Sequence, residues 1–406
     1  MRAPARHRRS VGISCIAVPP VAPSAPPVDQ AGGRALEPTT PRPGPTARVA
    51  CSSPSREEFG RELRTPGGDR GVAGLRGDDR VLTDRVPGDR DVSRFGLLPG
   101  DTSGMGGNQT DRRPVALVTG ASRGIGRRIA LALAAGGYDV AFTARTLEEG
   151  QGVVGPRVST GAQGPLSVPG SLAATTAQVT ALGVRALPVR MDLLDVDSVR
   201  AAAERVHQEW GAVDLLVNNA ITHLAGGHDR LLDLDPAVAA RTLEGNFLAQ
   251  LVLVQAVLPS MLAAGGGTMV NLCSGSSTTD PPASPGEGGW GLAYAASKAA
   301  FGRLAGAVNA EYHGAGVRAF NLDPGFVVTE ASTARGGISA ISGAGFELTP
   351  DWAAGAAVLW LARAPEAARF LGRVVWTPKL VAELGLTDPG SADPGVQRAA
   401  ADEVAP

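Results

Sequence analysis

Cysteine and lysine are almost missing from this chain, and so is any surplus of charge. Three cysteines in 406 residues, Cys15, Cys51 and Cys273, are too few and too scattered for a disulfide framework or a thiolate metal site. A reducing, cytoplasmic setting is the expectation. The 38 basic and 39 acidic residues leave a formal charge of −1, without the positive field that nonspecific nucleic-acid binding needs, so no nucleic-acid partner is expected. Lys298 and Lys379 are the only lysines. Positive charge is therefore almost all arginine, and a single arginine says little about function while a lysine says more. His207, His223, His228 and His313 fall on different segments without ligand spacing, so no metal site is expected. Nothing reads as a membrane span, a collagen repeat or a coiled coil.

Glycine and proline, by contrast, are abundant, at 54 and 31 residues. Residues 1–104 hold 14 of each and keep no helical or strand periodicity, so 1–110 is expected to be a disordered extension. The apolar stretch 11–21 follows Arg2, Arg6, Arg8 and Arg9, but Pro19 and Pro20 break it, and it reads neither as a secretory signal nor as a span. Met105 leads directly into a strand and is read as the true start.

From about Asp111 the pattern changes to apolar strands alternating with amphipathic helices. This predicts an α/β domain over 111–385, a Rossmann-type doubly wound parallel sheet of about seven strands with helices on both faces, followed by a disordered tail at 386–406. Strands are expected at 115–119, 139–145, 185–191, 214–218, 268–273, 317–322 and 373–376. Helices are expected at 125–135, 172–182, 198–210, 236–262, 292–312 and 350–363. The Gly/Pro/Ser-rich stretch 150–170 reads as a surface loop.

Three features carry chemistry. The first strand runs into a glycine turn, Thr119 to Gly126, that opens a helix. Gly120, Gly124 and Gly126 allow the tight turn and let a pyrophosphate approach the backbone, while the helix N-terminus with Ser122 and Ile125 supplies unpaired N–H groups. Such a turn alone can serve strand-to-helix packing; its place after the first buried strand favours a dinucleotide. The second strand ends at Arg145 with no acidic residue for a ribose 2′-hydroxyl, so Arg145 and Arg123 are candidates for a 2′-phosphate, favouring NADP(H) over NAD(H). Glu148 or Glu149 is the alternative, serving a ribose. Finally, Tyr294 and Lys298 share a helix face with Phe301, Ala305 and Val308. A phenol with a reference pKa of about 10 is a poor acid–base group at neutral pH, and an ammonium one turn away favours the phenolate.

With these motifs in this order, residues 113–376 resemble the short-chain dehydrogenase/reductase family of the compact, single-domain type. The resemblance implies an oxidoreductase that interconverts a carbonyl and an alcohol on a small molecule. Tyr294 would be the acid–base, Lys298 would lower its pKa and bind ribose hydroxyls, Ser274 would position the carbonyl, and Asn246 would hold a relay water. Ser276 and Ser277 are nearby alternatives to Ser274. Further cofactor contacts would come from Asp192 and Leu193 by the adenine, Asn218 and Ala220 at the fourth strand, and Pro324, Gly325 and Thr329 after the sixth. The family also implies a homo-oligomer, a tetramer or a dimer, built on the two long helices.

This sequence departs from the pattern in three places. Ile221 stands where the family has glycine, the stretch from Ser274 to Tyr294 is lengthened through 280–289, and the end at 374–378 lacks the usual Asp-Gly-Gly. Trp290, after the lengthened stretch, is either a pocket residue or an anchor for the loop, and 330–348 has the composition of a mobile lid. A second function class, an NADP-binding sensor without turnover, has the stretched loop as its only support. Epimerase-type chemistry expects a different glycine spacing and a large C-terminal region, and neither is present. N-terminal sequencing of the native protein tests the reading of Met105; a peptide from before it would overturn that reading.

Overall fold

A computed structural model describes residues 112–159, 164–336 and 347–390. The chain divides into Met1–Pro99 and Gly100–Pro406, and every described residue belongs to the second unit. The extension 1–110, Met105 and the tail beyond 390 lie outside the described residues, as does the middle of the 330–348 segment.

Seven parallel strands form the main sheet: β1 (Val115–Thr119), β2 (Asp139–Ala144), β5 (Ala186–Arg190), β6 (Leu215–Asn218), β7 (Gly267–Leu272), β8 (Val317–Asp323) and β9 (Val374–Trp376), in the order β5-β2-β1-β6-β7-β8-β9. All five residues of β1 are buried, as a central strand covered on both faces requires. Side chains alternate between two cores. Ala116, Val118, Val140, Phe142 and Phe320 face one core, with Ile129 and Leu133 of α1 (Gly124–Ala135), Leu172 and Val179 of α2 (Leu172–Ala181), and Val358 and Leu361 of α8 (Ala353–Arg363). Val115, Leu117, Leu216, Met269 and Ala319 face the other, with Val199 and Val206 of α3 (Val196–Trp210), Leu253 and Met261 of α5 (Ala249–Ala263), and Ala305 and Val308 of α6 (Leu292–Tyr312). This is the doubly wound α/β sheet the alternation predicts. The chain leaves β1 toward β2 and β5, then returns to β6 on the other side, so the topological switch falls between β1 and β6. Ligands of such sheets bind at the carboxyl ends of the strands there.

Four details differ from the sequence reading. The helix expected at 236–262 is α4 (Pro236–Leu243), a π turn at Glu244–Leu248, then α5. Its 28 residues are apolar and long enough to cross a membrane by length and composition, yet Leu253, Val257 and Met261 are buried in the core. The stretch read as a surface loop carries a small antiparallel ribbon, β3 (Val153–Val154) with β4 (Leu166–Ser167). A short helix α7 (Glu330–Ala334) opens the expected lid, and α9 (Thr377–Leu384), with Pro378 in its first turn, follows β9. α7 has five residues, too few for a helical period to show, whereas Leu380, Val381 and Leu384 of α9 do keep helical spacing, past the last expected strand. At the start of the expected tail, Leu386 N–H donates to the Val381 carbonyl.

Phe142 is wholly buried in β2. Its replacement by alanine should lower stability by about 3–5 kcal/mol in denaturant unfolding; a loss under about 1 kcal/mol would show a core that collapses to fill the space.

Candidate active site

At the switch point the backbone is packed as tightly as it can be. A Cβ on Gly126 would lie 2.3 Å from the Gly120 carbonyl oxygen and 2.4 Å from Asn219 Nδ2, and Gly120 itself has φ +72°. Thr119 Oγ1 accepts from the N–H groups of Asn219 and Ala220, each at 2.9 Å, and donates to the Val217 carbonyl. Asn219 Nδ2 donates to the carbonyls of Thr119 and Gly120. The tips of β1 and β6 are thus locked together, and α1 begins directly above them.

Ser122 is buried in the turn, and Ile125 half-buried. Glu330 accepts from the Gly124 N–H at 2.9 Å and pairs with Arg127, so α7 brings a carboxylate to the N-terminus of α1. Thr329 caps α7, its Oγ1 accepting from the Ser332 N–H. An open cleft of about 440 Å³ runs past Gly124, Arg127, Val328, Thr329 and Glu330. Pro324 precedes Gly325, which has φ +72° and where a Cβ would lie 2.2 Å from Thr349 Oγ1. Arg145 is exposed at the tip of β2. Arg123 is spent elsewhere: its guanidinium donates to the carbonyls of Pro169 and Gly170 and to the Thr146 hydroxyl. Glu149, the alternative ribose ligand, accepts from the Gly170 N–H. Asp192 accepts from the Leu194 N–H, and Leu193 is buried behind it.

A row of asparagines crosses the strand ends. Asn218, Asn271 and Asn321 are in register on β6, β7 and β8; Asn218 Nδ2 donates to Asn271 Oδ1 and Asn271 Nδ2 to Asn321 Oδ1. Among the described residues Asn218 Oδ1 has no partner and is buried. Cys273 is buried beside this row, and burial raises its thiol to about 11.

Tyr294 and Lys298 lie one turn apart on α6. Lys298 is buried and donates to the Leu272 carbonyl at 2.6 Å. Ser274, at the end of β7, caps a short helical turn, Gly275–Ser277, and accepts from the Ser276 N–H at 3.3 Å. The Ser276 hydroxyl is buried without a partner among the described residues. Asn246 sits in the π turn: its Oδ1 accepts from the Thr222 N–H, and its Nδ2 donates to the Thr222 carbonyl and to Ser297 Oγ. Ser297 Oγ in turn donates to the Tyr294 carbonyl. The extra residue of a π turn swings a side chain out of the regular helical register, and such turns concentrate at functional sites.

Two histidines that the sequence reading set aside join this group. The rings of His228 and Tyr294 stack at 5.0 Å, and those of His223 and Tyr294 at 6.1 Å. Burial, then Arg157, then His228 hold His223 well below the usual histidine range. Both histidines follow β6, where Ile221 departs from the family pattern, and no periodicity in the sequence points them at Tyr294. Among the described residues no three His, Cys, Asp or Glu side chains gather as a metal site.

The model of the family described as short chain dehydrogenase matches residues 114–162 and 166–336. A curated short chain dehydrogenase of Pseudocercospora fijiensis is 33% identical over 216 residues, 53% of this chain and 60% of that protein. A 3-oxoacyl-(acyl-carrier-protein) reductase of Staphylococcus aureus is 30% identical over 221 residues, 54% of this chain and 76% of its own length. The chain spans about half the length of several curated relatives, at 60%, 49% and 40%. Among solved structures, a short-chain type dehydrogenase/reductase from Mycobacterium marinum has a TM-score of 0.52 and 25% identity, covering 65% of this chain and 93% of that one. A 3-oxoacyl-(acyl-carrier protein) reductase from Brucella melitensis has a TM-score of 0.51 and 27% identity, covering 66% and 96%.

Burial, with Arg157 and Arg335 adding to it, lowers His228 to about 4. The folded protein leaves His228 uncharged down to that pH, whereas the unfolded chain protonates it below about 6.5. His228 therefore favours folding at neutral pH, and its contribution is lost as pH falls from about 6.5 to about 4. Urea unfolding at about pH 7 and about pH 4.5 should show a smaller acid loss for His228→Asn than for the unaltered chain. Equal losses would mean that His228 titrates normally.

Proposed function

The chain belongs to the short-chain dehydrogenase family, and on that footing we propose that it interconverts a carbonyl and an alcohol on a small molecule, using NADP(H) in preference to NAD(H). The observation that carries this reading is that Lys298, one turn from Tyr294, bonds the Leu272 carbonyl at the end of β7 while Asn246 bonds the adjacent Ser297, next to a glycine turn too tight for any side chain at Gly126.

That turn suits a dinucleotide. Gly120, Ser122, Gly124, Ile125 and Gly126 would hold the pyrophosphate at the start of α1, with Thr329 across the cleft. Asn218, with its unpartnered Oδ1, and Ala220, Pro324 and Gly325 would line the nicotinamide side. Asp192 and Leu193 would flank the adenine. The preference for a 2′-phosphate rests on Arg145, since Arg123 is bonded to backbone carbonyls. When bound, the cofactor supplies or accepts the hydride.

The chain's own task is the proton and the alignment. In the reducing direction the Tyr294 hydroxyl donates its proton to the carbonyl oxygen, and in the oxidising direction the phenolate takes it back. Lys298, held by the Leu272 carbonyl, offers its remaining donors to ribose hydroxyls. Ser274 donates a hydrogen bond to the same oxygen. Asn246 fixes the π turn through Thr222 and Ser297, where a relay water would sit.

NADPH and NADH titration, followed by cofactor oxidation across ketones and aldehydes, tests the reading. NADPH should bind tighter, Arg145→Ala should narrow the gap, and Tyr294→Phe should cut turnover by about 10²-fold or more while sparing NADPH affinity. Substantial residual turnover in Tyr294→Phe would remove its assigned role, and binding without turnover of any carbonyl would favour a sensor.

A further inference from the structure

The described residues 150–159 are tied down at several points. Ser159 donates through both N–H and hydroxyl to Asp229, His228 N–H donates to the Arg157 carbonyl, and Arg335 Nε donates to the Gly155 carbonyl at 2.9 Å. The segment thereby delivers Arg157 to the tyrosine–histidine cluster. Arg157 is half-buried and its Nε is buried without a partner among the described residues. Arg335, at the end of α7, is also half-buried. Among the described residues neither arginine has a carboxylate in ion-pair range.

The charges are felt where the chemistry sits. Arg157 and Tyr294 interact electrostatically, and Arg157 acts on both histidines. Burial lowers Arg157, and burial together with Arg157 brings Arg335 to about 10. Asp229, the acid beside His228, is already spent on Ser159. The histidines stay uncharged at neutral pH, so the local charge is that of the two guanidinium groups together with the Lys298 ammonium. The stretch carrying Trp290 packs against the same cluster: a Cβ on Gly291 would lie 2.5 Å from His228 Cα, and the Trp290 indole N–H is buried without a partner. Desolvated cations without a counter-ion are costly, and a guanidinium fork matches a planar or tetrahedral oxyanion.

Resting on the oxidoreductase reading above, we propose that Arg157 and Arg335 form the recognition site for an oxyanion carried by the substrate, a carboxylate or a phosphate, so that the substrate is a charged oxo compound and not a neutral ketone.

The test measures calorimetric binding of acetoacetate, levulinate and dihydroxyacetone phosphate against methyl acetoacetate, methyl levulinate and dihydroxyacetone, with and without saturating NADP⁺. At least one charged compound should bind about tenfold or more tighter than its neutral partner. Arg157→Gln and Arg335→Gln should each erase most of that ratio, with NADPH affinity retained as evidence of folding, and Arg157→Lys should restore part of it. A carboxylate or a phosphate preference alike supports the proposal and tells the two apart. Equal binding of charged and neutral partners, no binding of either, or a ratio unmoved by both substitutions would overturn it. A charge preference that persists while NADPH fails to bind or to be oxidised would overturn the proposed reaction instead.

Discussion

Everything at this site depends on how closely the tips of β1 and β6 approach. Thr119 Oγ1 bonds two N–H groups of the β6 end and one of its carbonyls, while Asn219 bonds the carbonyls at the β1 end. Gly126 stands against this junction with no room for a Cβ. Were the junction looser, α1 would start further from the sheet and the Gly124 N–H would no longer meet Glu330 beside Thr329. The register of β6 with β7, and of β7 with β8, carries that placement across the sheet to Asn218, Asn271 and Ser274.

On this rigid frame the variable parts are fastened by polar contacts to backbone. Arg123 holds the end of the 150–170 segment, Asp229 holds its middle through Ser159, and Glu330 ties α7 to the start of α1. The frame accounts for cofactor chemistry shared by a family; the fastened segments surround the space where a substrate would lie. Function specific to this chain is therefore sought in residues such as Arg157, which belong to no strand or helix.

Much of the fold was legible because its signals are local. Continuous apolar runs mark buried parallel strands, and each runs close to its expected place. Phe301, Ala305 and Val308 keep Lys298 on an inward helix face, and the lysine is indeed buried. The π turn at Asn246 was not legible, since no local pattern separates Glu244–Leu248 from the helical run on either side of it. Nor was the ribbon in 150–170, whose strands are two residues each, too short for alternation to show.

The sequence alone determined the doubly wound sheet, the glycine turn above its first strand and the spacing of tyrosine and lysine on one helix face, because these follow from periods of two and 3.6 residues and from glycine's missing side chain. Only the tertiary structure decided what each polar group does. It gave Arg123 to backbone carbonyls, set His223 and His228 against Tyr294, and left Arg157 and Arg335 without a carboxylate in ion-pair range among the described residues. Those assignments depend on segments far apart in the chain meeting at one sheet edge, and no local pattern encodes such a meeting.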